Sequence, residues 1–88
     1  MNAYVTWVYS RTGINRVVSV SSNEMESIDT MNAIATLPES VRGGKVRRTL
    51  LVGSDAKTAL RRFGDGENLQ VRIDINNEGQ VIRTIDSY

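Results

Sequence analysis

Residues 69–76 alternate without a break: Leu69, Val71, Ile73 and Ile75 are apolar, and Gln70, Arg72, Asp74 and Asn76 are polar. A period of two marks a strand with one covered face. Asn77-Glu78-Gly79 then supplies turn chemistry, and residues 80–85 (QVIRTI) return as the second strand of an antiparallel hairpin. Near the start of the chain, residues 3–9 (AYVTWVY) and 14–20 (INRVVSV) have the β-branched and aromatic composition of strands. Ser10-Arg11-Thr12-Gly13 lies between them, with Gly13 free to take a positive φ, so a second hairpin is predicted. Val5, Trp7 and Tyr9 would share one face, and Tyr4, Thr6 and Val8 the other. Alternation is imperfect in both strands, so periodicity does not say which face is covered.

Two segments carry the helical period instead. Met25, Ile28, Met31 and Ile34 recur every third residue, extended by Ala35 and Leu37. Ser21-Ser22-Asn23 offers capping oxygens ahead of them, and Glu24 and Glu26 suit the positive end of a helix. An amphipathic helix over residues 23–35 follows, its apolar stripe on the sheet, with Pro38 beyond its end. The second helix is expected over residues 55–62, capped by Ser54 and closed at Phe63-Gly64, with Ala56, Ala59, Leu60 and Phe63 as its buried stripe. Between the helices, residues 39–45 (ESVRGGK) read as a loop hinged at Gly43-Gly44. Residues 47–52 then form an apolar strand expected in the centre of the sheet. The order β-β-α-β-α-β-β over residues 1–88 describes one small α+β domain: a mostly antiparallel sheet of about five strands with two helices on one face. A ferredoxin-like variant is one candidate topology.

Charge adds what the periodicity lacks. Residues 38–62 hold seven of the eleven basic residues (Arg42, Lys45, Arg47, Arg48, Lys57, Arg61, Arg62) against two acids, a formal charge of +5. The remaining four basic and eight acidic residues sum to −4, so the near-neutral total of +1 hides a segregated molecule. Lys and Arg in such a cluster neutralise phosphates or pair with carboxylates of a protein partner. The acids of the first helix, Glu24, Glu26 and Asp29, form an opposing acidic face.

Composition mostly excludes. The chain has no histidine and no cysteine, which removes Ser-His and Cys-His nucleophiles, disulfides and the common zinc sites. No cofactor or metal is expected. Residues 1–11 lack a basic segment followed by an apolar one, and no apolar run nears the ~20 residues of a membrane helix. A cytoplasmic protein that does not engage membranes is therefore expected. A chain of 88 residues has a small core, and homodimerisation is the expected way to extend burial.

Three apparent motifs fail on inspection. Gly53-Ser54-Asp55-Ala56-Lys57-Thr58 sits where a phosphate-binding loop would, yet Ala56 and Leu51 stand where its glycines belong and Asp55 would repel phosphate. Asp74, Asn76, Glu78 and Gly79 match half of a calcium loop, but Ile85 replaces the closing glutamate and the flanks have strand periodicity. Asp65 and Glu67 lie in a Gly-rich turn, where carboxylates are solvated and not tuned for acid–base work. The reading that remains is a non-catalytic binding protein whose basic region, residues 38–62, docks nucleic acid or a nucleoprotein complex. An alternative is a small protein-binding inhibitor, of the size and class found in phages and mobile elements, acting through Glu24, Glu26 and Asp29. A small carboxylate-dependent enzyme is a third reading. Tyr4, Trp7 and Tyr9 read as core and rim, or as a stacking platform for bases.

Overall fold

A computed structural model describes residues 1–10 and 13–88. Its elements are β1 (Asn2–Ser10), β2 (Val17–Ser21), α1 (Glu24–Ala35), α2 (Glu39–Arg42), β3 (Gly44–Val52), α3 (Gly53–Gly64), β4 (Leu69–Ile75) and β5 (Val81–Ser87). This is a small α+β architecture of five antiparallel strands and three helices. The turn expected at residues 10–13 includes Arg11 and Thr12, which lie outside the described residues; Gly13 beside them does take a positive φ of 106°.

The strands fall into two sheets. One has the order β2-β1-β3 and the other is the β4-β5 hairpin. An isolated bridge from Arg16 to Gln70 links them. Asn15 reinforces the link: its carbonyl accepts from the Val71 amide and its side-chain amide donates to the Val71 carbonyl. Both expected antiparallel strand pairs form. The β1-β2 ladder carries an irregularity between Thr6 and Trp7. In the β4-β5 turn the Asn76 carboxamide oxygen accepts from the amides of Glu78 and Gln80. Residues 74–79 therefore build a strand end and a tight turn.

β1 is the centre of the molecule. Ala3, Val5, Thr6, Trp7 and Val8 are all buried, so both of its faces are covered. This corrects the expectation of two helices on one face. Ala56 and Ala59 of α3 belong to the core cluster of Ala3, Val5 and Trp7. Ser27, the buried residue of α1, meets Thr6, hydroxyl to hydroxyl at 3.5 Å, on the opposite face. A strand covered twice needs apolar residues on both sides, which is why its alternation is imperfect.

The main core lies on the α3 side. Leu69 and Val71, at the base of the second hairpin, complete it, with Leu51, Leu60, Phe63 and Ile85 half-buried against it. The stripe expected on α3 is the one that packs. The stripe of α1 is weaker than its spacing promised: Met25 is exposed, Ile28, Met31 and Ile34 are only half-buried, and a serine takes the closest approach. Asn23 does cap α1, its side chain accepting from the Glu26 amide. α3 instead starts at Gly53, one residue before Ser54, and has no side-chain cap.

Two further expectations change. Residues 39–42 form the short helix α2, closed by Gly43 at φ 90°. β3 is an edge strand and not a central one: it pairs only with β1, through nine residue pairs from Asn2–Val52 to Ser10–Gly44. Its three cations, Lys45, Arg47 and Arg48, are tolerated there because an edge leaves them in water.

Candidate nucleic-acid interface

Strand alternation decides where the basic residues go. Arg47 pairs across the ladder with Trp7 and Lys45 with Tyr9, so both lie on the α3 side of the sheet. Arg48 pairs with Thr6 and points to the α1 side, where it meets Glu24 at 3.8 Å and lies over the Tyr4 ring. The cluster that is contiguous in sequence is therefore divided between two faces.

The basic residues also differ in what they hold. Arg42 is a brace: its guanidinium donates to the carbonyls of Gly44, Ala35 and Leu37, tying the end of α1 to the start of β3. Arg62 donates from Nε to both oxygens of Glu67, and its Nη2 approaches Oε1 at 3.2 Å. Lys45, Arg47, Lys57 and Arg61 are exposed and make no ion pair among the described residues. Lys57 and Arg61 lie on the solvent side of α3, opposite Ala56 and Ala59. The candidates thus reduce to Lys45 and Arg47 on the sheet, with Lys57 and Arg61 on the helix.

Of the three aromatic residues in β1, only Tyr9 is free to stack. Trp7 is buried and its indole nitrogen donates to the Thr49 hydroxyl at 2.9 Å. Tyr4 is half-buried beneath Arg48. Tyr9 is 46% exposed, with its ring centroid 6.2 Å from that of Trp7. It lies between two concavities. On one side a shallow depression is lined by Lys45, Arg47, Gly44 and Glu39, so it is basic but not purely so. On the other a cleft of about 510 Å³ opens between the β1 end and β4, lined in part by Asn15, Arg72, Ile73 and Asp74.

Neither Asn15 nor Arg72 stands in a local pattern that marks a site. The bridge from Arg16 to Gln70 and the two Asn15–Val71 hydrogen bonds bring residues 70–74 beside the end of β1, and no local pattern announces a contact between segments so far apart in the chain. Arg72 is partly engaged with Asp86 at 3.4 Å.

The acidic face of α1 is also present. Glu26 and Asp29 are exposed and unpaired among the described residues, whereas Glu24 is committed to Arg48. Asp65 and Glu67 do not converge as a pair, because Glu67 is held by Arg62. Among the described residues no group of three or more acidic side chains could hold a metal ion, and no helix is long and apolar enough to cross a membrane.

No protein-family model matches the chain, and neither a curated protein nor a solved structure matches it at a significant level.

Proposed function

We propose that this chain is a non-catalytic binding protein that docks a polyanion, a nucleic acid, on the face carrying Tyr9, Lys45 and Arg47. One observation carries the reading. Lys45 and Arg47, without an ion pair among the described residues, lie beside the single exposed aromatic ring of β1, while Arg42, Arg48 and Arg62 are occupied within the fold. Cations beside a flat aromatic face are the elements with which proteins hold single-stranded nucleic acid: the cations follow the phosphates and the ring accepts a base. Arg72 adds a further cation in the neighbouring cleft, where it also meets Asp86 and shares the lining with Asp74.

The test is binding of labelled mixed-sequence oligonucleotides, single- and double-stranded, across a salt series. With two to four phosphates neutralised, log affinity should fall with log salt at a slope of about −1.4 to −2.8 on single strands and about −1.8 to −3.6 on duplex. The double reversal Lys45→Glu/Arg47→Glu should abolish binding. Tyr9→Ala should weaken single-stranded binding about 5- to 100-fold, the value of one stacked base. Binding that is absent at low salt, or that survives the double reversal, refutes the proposal. Loss of partner binding on reversing Glu26 and Asp29 instead would support the inhibitor reading.

A further inference from the structure

We infer that β3 is the association edge of the molecule, and that it pairs antiparallel with β3 of a second copy about a two-fold axis through Thr49. Ladder parity decides which backbone groups of β3 face outward. The Gly53 amide donates to the Met1 carbonyl at 2.8 Å, continuing the β1-β3 register by one step. Odd-numbered residues of β3 therefore exchange hydrogen bonds with β1. The N–H and C=O groups of Val46, Arg48, Leu50 and Val52 point the other way, out of the sheet. The bond from Arg42 Nε to the Gly44 carbonyl, at 2.8 Å, lies on that same outer side. Val46, Arg48 and Leu50 take no backbone bond from another segment among the described residues, whereas Val52 is the N-cap of α3, so its carbonyl opens that helix and only its amide is offered outward.

Such an edge is open to any strand, and the side chains select the occupant. The strand has no proline and no bulge: its nine pairs with β1 keep one register. Leu50 and Val52, two residues apart on the α1 side, are 51% and 60% exposed. Charge then chooses among the two-fold registers. Axes through Val46, Arg47 or Arg48 set Lys45, Arg47 or Arg48 directly opposite a cation of the second copy, which is repulsive. The axis through Thr49 sets none opposite another. It places Val46 against Val52, Arg48 against Leu50 and Thr49 against Thr49. It also engages the outward N–H and C=O groups of Arg48 and Leu50 and sets the Val46 carbonyl against the Val52 amide; an axis through Leu50 leaves Val46 outside the ladder. The two Arg48 side chains become diagonal neighbours, ~7–8 Å apart. Each already carries its own Glu24 at 3.8 Å, so the group of four is neutral. The edge is thus complementary to itself. Pairing would join the two three-stranded sheets into one of six strands, with Lys45 and Arg47 of both copies still exposed on the α3 side. The inference does not depend on nucleic-acid binding.

The test uses sedimentation together with site-directed cross-linking, which the absence of native cysteine makes clean. The full chain should dissociate from dimer to monomer on dilution. Leu50→Pro removes only an outward-pointing amide, a position where an edge strand accepts proline. It should give a monomer with unchanged circular dichroism. Thr49→Cys places two thiols on the axis at ~4.5 Å between Cα atoms, within disulfide range. It should oxidise to a covalent dimer, whereas Arg47→Cys, more than ~13 Å from its counterpart, should not. A wild-type monomer at about 1 mM, or equal cross-linking by the two cysteine variants, overturns the inference. If Leu50→Pro unfolds the chain, the cysteine pair decides alone.

Discussion

Gly44 is the position where a single methyl group should do the most damage. It is buried at the first residue of β3, facing Ser10 across the ladder. A Cβ built there would overlap the Tyr9 carbonyl oxygen and sit 3.0 Å from the Tyr9 carbonyl carbon and 3.2 Å from Val8 Cγ1. Two of these three atoms are backbone, so no side-chain rotation relieves the clash. The end of β3 must move away from β1.

That movement strains the two hydrogen bonds exchanged by Tyr9 and Lys45, each contributing about 1 kcal/mol, and the bond from Arg42 to the Gly44 carbonyl, about 1.5 kcal/mol because its donor is charged. Alanine narrows the unfolded ensemble and returns roughly 0.4–1 kcal/mol. Gly44→Ala should therefore destabilise the chain by about 3 kcal/mol. That is a large part of the roughly 4–13 kcal/mol available to 88 residues. In urea denaturation, with a slope of about 1–1.5 kcal/mol/M for so small a domain, the midpoint should fall by about 2–3 M with the slope unchanged. Gly43→Ala is the control. It has φ 90° and nothing within 4 Å of the built Cβ, so only left-handed strain of about 1–2 kcal/mol applies. A Gly44→Ala loss below about 0.5 kcal/mol, or one no larger than that of Gly43→Ala, would refute the close approach.

Other substitutions separate structural from functional residues. Arg42→Ala should lower stability by about 1–3 kcal/mol in the same denaturation assay, through its three carbonyl contacts, and leave oligonucleotide affinity within about twofold. Lys45→Glu/Arg47→Glu should do the reverse, losing binding with stability changed by no more than about 0.5 kcal/mol. Along β4 the expected losses on truncation follow burial. Leu69→Ala, at 2% exposure, should cost about 3 kcal/mol, and Ile75→Ala, at 73%, less than about 0.5 kcal/mol. Trp7→Phe should cost about 1–3 kcal/mol, because the Thr49 hydroxyl loses its indole donor and the smaller ring leaves a gap.

The candidate interface was only partly legible beforehand. The concentration of cations in residues 38–62 is a property of the sequence, and Lys45, Arg47, Lys57 and Arg61 remain exposed and without an ion pair among the described residues. That Arg42 would turn inward to brace carbonyls, or that Arg62 would close on Glu67, depends on neighbours brought together by folding. The division of Arg47 from Arg48 was readable in principle, since adjacent strand residues always point apart. What was missing was which side each would reach, because that requires knowing what covers each face.

Local chemistry alone determined most of the elements, the short helix α2 being the exception. Alternation over residues 69–76, the turn at Asn77-Glu78-Gly79, the oxygen cap at Asn23 and the alanine stripe of α3 each act within a few residues, and each is present in the fold. Only the tertiary structure decided how the elements cover one another. Helices on opposite sides of β1, β3 at the edge and the cleft between β1 and β4 all rest on contacts between distant segments. Periodicity records which residues of an element share a face. It carries no label for the partner that covers that face, and an apolar run such as that ending β3 reads the same in the middle of a sheet as at its open edge.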